Sequence, residues 1–153
     1  MTKTTKIVLG IVGGLLILVV VVISAGAYMV MSAFQTQEVS TQEAETAFTE
    51  VRAKFAGVTP AFSFDGRRRP EVLREPPSAA PSVKPSTVHI LVFEQSAGRI
   101  ARINLPLSLL RLSNEPIEFE NVELKIEDVE RYGPTVLLDG DRPDGDPLLI
   151  WTD

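Results

Sequence analysis

The first 31 residues divide into a short polar start and a long apolar run. Residues 1–6 contain Lys3 and Lys6, and residues 7–31 contain 25 consecutive residues without a charge. A helix rises about 1.5 Å per residue and needs about 20 apolar residues to cross the hydrocarbon core of a membrane. The pattern therefore predicts a single transmembrane helix over 7–31. Its N-terminus is expected in the cytoplasm, because positive charge lies only on that side.

The apolar run also carries a candidate cleavage site and a pair of glycines. A signal peptide cleaved after Ala27 is the alternative to an anchor, since Ala25-Gly26-Ala27 has the small-x-small form of a cleavage site. The apolar core is longer than the usual run of about 7–15 residues in a signal peptide, which favours a retained anchor. Gly10 and Gly14 form a GxxxG motif, which would allow close helix–helix packing, although glycine is also common in membrane helices.

The next segment has helical spacing. Ser40 followed by Glu43 has the form of a capping box, and a helix is predicted over 40–57. One face of this helix is apolar, with spacings of 4, 3 and 4: Ala44, Phe48, Val51 and Phe55. This face packs either on the protein's own domain or on a partner, so its three large side chains form a candidate partner-binding face.

Two irregular segments follow this stalk helix. Residues 58–74 predict a short hairpin-like segment, because residues 61–65 alternate and Asp65-Gly66 is a turn signal. Residues 75–86 contain four prolines and few residues that could form a core. This composition predicts an extended linker or a long surface loop.

Residues 87–153 have the patterns of a small α+β domain. Residues 87–93 are apolar on both faces, which predicts a central strand, and residues 100–105 predict the strand that returns from it. Short helices are predicted over 107–112 and 127–132, further strands over 117–126, and a last hairpin from 136–138 and 148–151. We therefore expect antiparallel hairpins with about five or six strands and two or three short helices.

Composition and charge exclude several classes of function. The chain has no cysteine and one histidine, which excludes a disulfide scaffold, a cysteine nucleophile and any site that needs two imidazoles. The 15 basic and 20 acidic residues give a net charge of −5. Because the two lysines of residues 1–35 are the only charges there, the exported part is more acidic still. An acidic exported domain argues against binding of nucleic acid.

The candidate chemistry is sparse. The single histidine, His89, lies inside a predicted strand, and no nucleophile elbow or phosphate-binding loop is present. The loop 139–146 contains four aspartates, whose oxygens could bind calcium, but its spacing differs from that of an EF-hand and Arg142 lies within it. Aspartate, glycine and proline are also ordinary turn residues. We therefore assign no catalytic, cofactor-binding or metal-binding residue and expect no cofactor.

Two stretches carry a resemblance to other proteins. The block from Val88 to Leu112, with HILVFEQSAGRIARINLPLSLLRL at its centre, resembles a strand–turn–strand–LPL arrangement in small bacterial envelope proteins with an N-terminal membrane anchor. The closing IEDVERYGPTVLLD and LLIWTD resemble the end of such proteins. Some of these proteins are linked to cell-envelope stress responses. The resemblance implies a bacterial envelope protein, and its motifs contain no ligand or catalytic residue.

Together these features predict a non-catalytic, single-pass membrane protein whose exported α+β domain mediates protein–protein interaction. The expected partners are the lipid bilayer and either another envelope protein or a second copy of the chain. The alternative is a calcium or ligand sensor that uses the loop 139–146. An envelope hydrolase is a third hypothesis, and it would need a cleft with two carboxylates or with a serine near His89.

Overall fold

The computed structural model describes residues 34–64, 70–113, 116–119 and 122–153. Residues 34–153 form one compact unit. The predicted transmembrane helix, with Gly10 and Gly14, lies outside the described residues. Among the helices that are described, none is long and apolar enough to cross a membrane.

Nine strands and three helices are present in the described residues, which confirms an α+β fold. The strands are β1 Phe34–Glu38, β2 Phe62–Phe64, β3 Pro70–Val72, β4 Thr87–Glu94, β5 Arg99–Pro106, β6 Ile117–Phe119, β7 Val122–Leu124, β8 Val136–Asp141 and β9 Pro147–Thr152. The helices are α1 Thr41–Lys54, α2 Leu107–Ser113 and α3 Ile126–Tyr132.

Seven of the strands form one mixed sheet in the order β1-β5-β4-β9-β8-β2-β3, and β6 and β7 form a separate hairpin. All neighbouring strands of the large sheet are antiparallel except β2 and β8, which run parallel. The expectation of antiparallel hairpins alone is therefore corrected to a mixed sheet. The parallel pair arises because β2 enters the sheet beside β8 after a long excursion of the chain, so the two strands share no tight turn.

Helix α1 begins where its capping residues predict. The Ser40 hydroxyl accepts a hydrogen bond from the Glu43 backbone N–H at 3.2 Å, and the Glu43 carboxylate accepts one from the Ser40 N–H at 2.8 Å. This reciprocal pair is a capping box, which satisfies two backbone donors that the first turn leaves free. The Glu43 carboxylate accepts hydrogen bonds from the Ser40 N–H and from the Ser40 hydroxyl, both at 2.8 Å, and these two bonds, the backbone one more than the side-chain one, lower the pKa of Glu43.

The sheet carries an apolar core on each face. Along β4, Leu91 and Phe93 point to the face covered by α1, whereas Val88 and Ile90 point to the opposite face, where α3 packs. This alternation explains why β4 carries apolar residues on both of its faces, since a strand covered on both sides needs two apolar faces. Helix α1 is therefore part of the domain.

The segment predicted as a linker also belongs to the compact unit. The Tyr132 hydroxyl donates a hydrogen bond to the carbonyl oxygen of Arg74 at 2.6 Å, and the Arg131 guanidinium donates to the carbonyl oxygen of Pro77 at 3.1 and 3.2 Å. Residues 75–86 thus form a surface loop held against α3. The predicted boundary that begins the domain at residue 87 is corrected, because β1, α1, β2 and β3 share the sheet and core of the later strands.

Candidate functional site

The apolar face of α1 is occupied by the protein's own sheet. Phe48 and Val51 are 3% and 9% exposed, and Phe55 is partly buried against the same cluster. They pack with Leu91 and Leu149, which point to this side of the sheet. The candidate partner-binding face of Phe48, Val51 and Phe55 is therefore corrected to a core face. The sheet offers it an apolar surface within the same chain, and burial there removes that surface from water.

The first aspartate of the 139–146 loop is bound by a side chain of α1. The Asp139 carboxylate accepts a hydrogen bond from Arg52 Nε at 2.9 Å and a second from Arg52 Nη2 at 2.6 Å. Both oxygens of this carboxylate are therefore engaged by one guanidinium group. Such bidentate pairs are among the stronger charge-assisted hydrogen bonds.

Two further aspartates of this loop bind backbone donors. Asp146 Oδ1 accepts a hydrogen bond from the Gln95 backbone N–H at 3.0 Å, and Asp144 Oδ1 accepts one from the Asp146 N–H at 3.1 Å. Arg142 lies 3.3 Å from the Asp144 carboxylate. Within the described residues, no group of three or more acidic, histidine or cysteine side chains is arranged to hold a metal ion. The geometry is that of a hairpin turn.

The His89 side chain lies on the α1 side of the sheet, between the side chains of its two cross-strand neighbours. Its neighbours across the strands are Asn104 and Trp151. Its Nδ1 lies 2.7 Å from Asn104 Oδ1, and its ring stacks on Trp151 at a centroid distance of 5.0 Å. Its Nε2 lies 2.9 Å from Asp153 Oδ2, an ion-pair distance without good hydrogen-bond alignment. The prediction of a partly buried strand histidine is confirmed.

The polar groups around His89 are in the wrong order for a nucleophilic serine. The Ser86 hydroxyl donates a hydrogen bond to Asp153 Oδ1 at 3.2 Å, so the carboxylate lies between the serine and the imidazole. A catalytic serine instead needs the imidazole beside its own hydroxyl. Burial acts to raise the pKa of Asp153, but the His89 ring and then the Ser86 hydroxyl act in the opposite direction, and the pKa is lowered overall.

The edge strand β1 is exposed along its whole length. All five of its residues are exposed, and in the part of the chain that the structure describes only β5 pairs with it. The Val39 N–H donates a hydrogen bond to the Gly98 carbonyl oxygen at 2.9 Å, in the same register as β1 and β5. Because hydrogen-bonded pairs alternate along an antiparallel ladder, Gln35 and Gln37 bond to β5. The outward-facing backbone groups belong to Phe34, Thr36 and Glu38.

The two edges of the sheet differ in their protection. The opposite edge, β3, has only three residues and contains Pro70, which has no N–H to offer. Short strands, prolines and lysines are the common means by which proteins prevent pairing at an edge. The sequence of β1 is FQTQE, with neither proline nor lysine. Among the described residues, the seven-stranded sheet thus has one short edge that contains proline and one edge, β1, whose outer side pairs with no described strand.

The sheet surface beside β1 is partly uncovered. Phe34 is 52% exposed, and its cross-strand neighbour Ile103 is only partly buried. Next to them lies an open cavity of about 500 Å³. Its lining includes Thr36, Val92 and Ala101 together with five charged residues: Glu94, Arg99, Arg142, Asp144 and Asp146. The face opposite α1 therefore offers apolar contacts near Phe34 and Ile103, and mostly polar contacts in the cavity beside them, to a strand that pairs with β1.

Comparison of the chain with protein-family models, with curated proteins and with solved structures found no match. The resemblance to small anchored envelope proteins therefore stays a prediction.

Proposed function

We propose that this protein is a non-catalytic, single-pass membrane protein whose α+β domain lies outside the cytoplasm and binds a protein partner at the free edge of β1. The observation that carries the proposal is the combination of an exposed strand, outward backbone donors and acceptors, and the lack of an edge-blocking residue. The membrane anchor and the orientation rest on the apolar run 7–31 and on Lys3 and Lys6.

The physical basis of the binding would be β-augmentation. An extended segment of the partner adds a strand to β1, and main-chain hydrogen bonds to Phe34, Thr36 and Glu38 supply affinity. Side chains of alternate residues would reach the partly uncovered surface near Ile103 and supply specificity. The other exposed edge of the sheet is less suited, because β3 is short and contains Pro70.

The position of β1 in the chain supports a partner in or next to the same membrane. Only residues 32–33 separate the predicted membrane span from Phe34. We therefore expect the partner to be a protein of the same membrane or of the adjoining envelope compartment. This expectation agrees with the acidic charge of the exported part, which is unsuited to nucleic acid.

The test compares two substitutions at one outward-facing position. Thr36→Pro removes the central outward N–H without removing a hydrogen bond to β5, whereas Thr36→Ala keeps that N–H. The full-length protein is expressed in two differently tagged copies and is captured through one tag from native membranes in mild detergent. Other companions are identified by mass spectrometry, and a second copy is identified through the other tag. We expect a stoichiometric companion, another protein or a second copy, with the wild type and with Thr36→Ala, and its loss with Thr36→Pro.

Two outcomes would contradict the proposal. One is a wild-type protein that emerges alone, and the other is a companion retained by a folded Thr36→Pro variant. Circular dichroism and the thermal midpoint show whether the variant is folded, since proline is tolerated at edge positions whose N–H faces outwards.

A further inference from the structure

We propose that the occupant of the β1 edge is a second copy of the same chain, paired antiparallel with the first about a two-fold axis at Thr36. The inference rests on the proposed function and names its partner. It is carried by the register of β1 on β5 and by the sequence of the strand itself, FQTQE.

The outward-facing residues suit a symmetric pair. They are Phe34, Thr36 and Glu38, with Thr36 in the centre. In an antiparallel pair about Thr36, the two copies of Thr36 oppose each other, and Phe34 of each copy opposes Glu38 of the other. Each of these is a position where two opposed residues exchange both backbone hydrogen bonds. Each strand thus provides hydrogen-bond partners for the outward N–H and C=O groups of the other copy.

The side chains around the axis are also self-complementary. Residues 35–37 read Gln-Thr-Gln, so the axis brings Thr36 opposite Thr36 and Gln35 opposite Gln37 of the second copy. Cross-strand threonine pairs stabilise sheets, and an amide side chain can both donate to and accept from another amide. This polar centre of the strand, which reads the same in both directions, is suited to pair with itself.

The charges of the edge do not oppose this pairing. Glu38 is the only charged residue of β1, and Arg99 is its cross-strand neighbour on β5. In the symmetric register the two Glu38 residues lie about 13 Å apart, which is beyond the screening length at physiological salt. Two acidic domains can therefore meet at this edge without bringing carboxylates together.

The membrane would supply the stability that a short strand lacks. Five paired residues bury less than the roughly 1,000 Å² per interface that stable complexes in solution need. Two copies anchored in one membrane have a raised effective concentration, and Gly10 and Gly14 would let their spanning helices pack closely. The pairing is therefore tested on the full chain in membranes.

Cysteine cross-linking reports the register directly, because the natural chain has no cysteine. In Thr36→Cys the two Cα atoms would lie about 5.5 Å apart, within the range of a disulfide. In Gln37→Cys they would lie about 8 Å apart, beyond that range. Thr49→Cys, on the exposed side of α1, is the control for random collision. Under mild oxidation we expect several-fold more cross-linked dimer for Thr36→Cys than for either other variant.

A charge-swap pair tests the axis by a second route. Thr36→Lys and Thr36→Glu each place like charges opposite one another in a homodimer, whereas a mixture of the two places opposite charges together. With differently tagged copies, we expect self-capture to fall for each variant alone and to recover for the mixed pair. Equal cross-linking at all three cysteine positions, or no recovery in the mixture, would overturn the inference.

The two proposals fail in different ways. One outcome is that Thr36→Cys gives no cross-linked dimer, while a different protein is captured with the wild type and is lost with Thr36→Pro. In that case the second copy is excluded and the interaction function stands. If no companion of any kind depends on Thr36, both proposals fail.

Discussion

Arg52 joins α1 to β8 by donating from Nε and Nη2 to the two carboxylate oxygens of Asp139, 87 residues further along the chain. The guanidinium group also lies over the Phe48 ring, 5.5 Å from its centroid. The hydrogen bond to Asp139, more than its charge, raises the pKa of Arg52, while burial acts to lower it. Asp139, an aspartate of the acidic segment 139–146 that the calcium-sensor alternative relies on, is thus a structural residue that holds the helix on the sheet.

Removing this contact is expected to cost little stability. Arg52 is about half exposed, and solvent-exposed ion pairs contribute roughly 0–1 kcal/mol. The bidentate geometry places this pair towards the upper end of that range. We expect Asp139→Asn to lower the free energy of unfolding by about 1 kcal/mol or less, measured by urea denaturation. A double-mutant cycle with Arg52→Gln should show coupling, and strictly additive effects would contradict the contact.

Calcium is expected to leave the domain unchanged. Asp139 and Asp146 bind Arg52 and the Gln95 N–H, so calcium would have to displace existing hydrogen bonds. Titration calorimetry with millimolar calcium should show no binding heat, and the thermal midpoint should not move. Because a ligand of the folded state raises stability by mass action, a clear shift would revive the sensor hypothesis.

Phe48 is expected to act through stability rather than through partner binding. It is 3% exposed, and phenylalanine-to-alanine changes in a core cost about 3–5 kcal/mol. Phe34→Ala is the matched control, because Phe34 is 52% exposed and should cost less than about 0.5 kcal/mol. Chemical denaturation of both variants tests this contrast. A Phe48→Ala variant with normal stability and no partner would favour the partner-binding alternative for this face.

The contact of Asp153 with His89 should make stability depend on acid pH. The pKa of Asp153 is lowered in the folded state, so the contact stabilises above the unfolded pKa of about 3.9 and is lost as the pH falls through the folded value. We expect Asp153→Asn to be slightly less stable than wild type at neutral pH. That difference should shrink below about pH 4, as measured by denaturation at several pH values. A constant difference at all pH values would contradict this origin.

The orientation in the membrane can be measured by labelling single cysteines. Lysine lies only on the N-terminal side of the apolar run, which predicts a cytoplasmic N-terminus. We expect a membrane-impermeant maleimide to label Ser96→Cys, in an exposed turn, in intact cells. Thr2→Cys should be labelled only after permeabilisation. The natural chain without cysteine is the control, and the reverse pattern would contradict the predicted orientation.

Some features depend only on neighbouring residues, and these were predictable. The capping box of Ser40 and Glu43 and the helical spacing that follows predict α1, because its hydrogen bonds join residues three and four apart. The hairpin of β4 and β5 is local in the same way, with a turn of four residues between two apolar runs. The amino-acid sequence alone also determines the uncharged run 7–31, the absence of cysteine and the acidic charge.

Other features depend on distant partners, and only the tertiary structure decided them. β1 is polar and has no strand pattern of its own, but the free edge of β5 pairs with it across more than 60 residues. The same distance effect buries the α1 face under Leu91 and Leu149 and places Asp139 beside Arg52. A residue's neighbours in the chain set its local conformation. The assembly of all the strands into one sheet decides which surface covers that residue and which backbone edge stays unpaired.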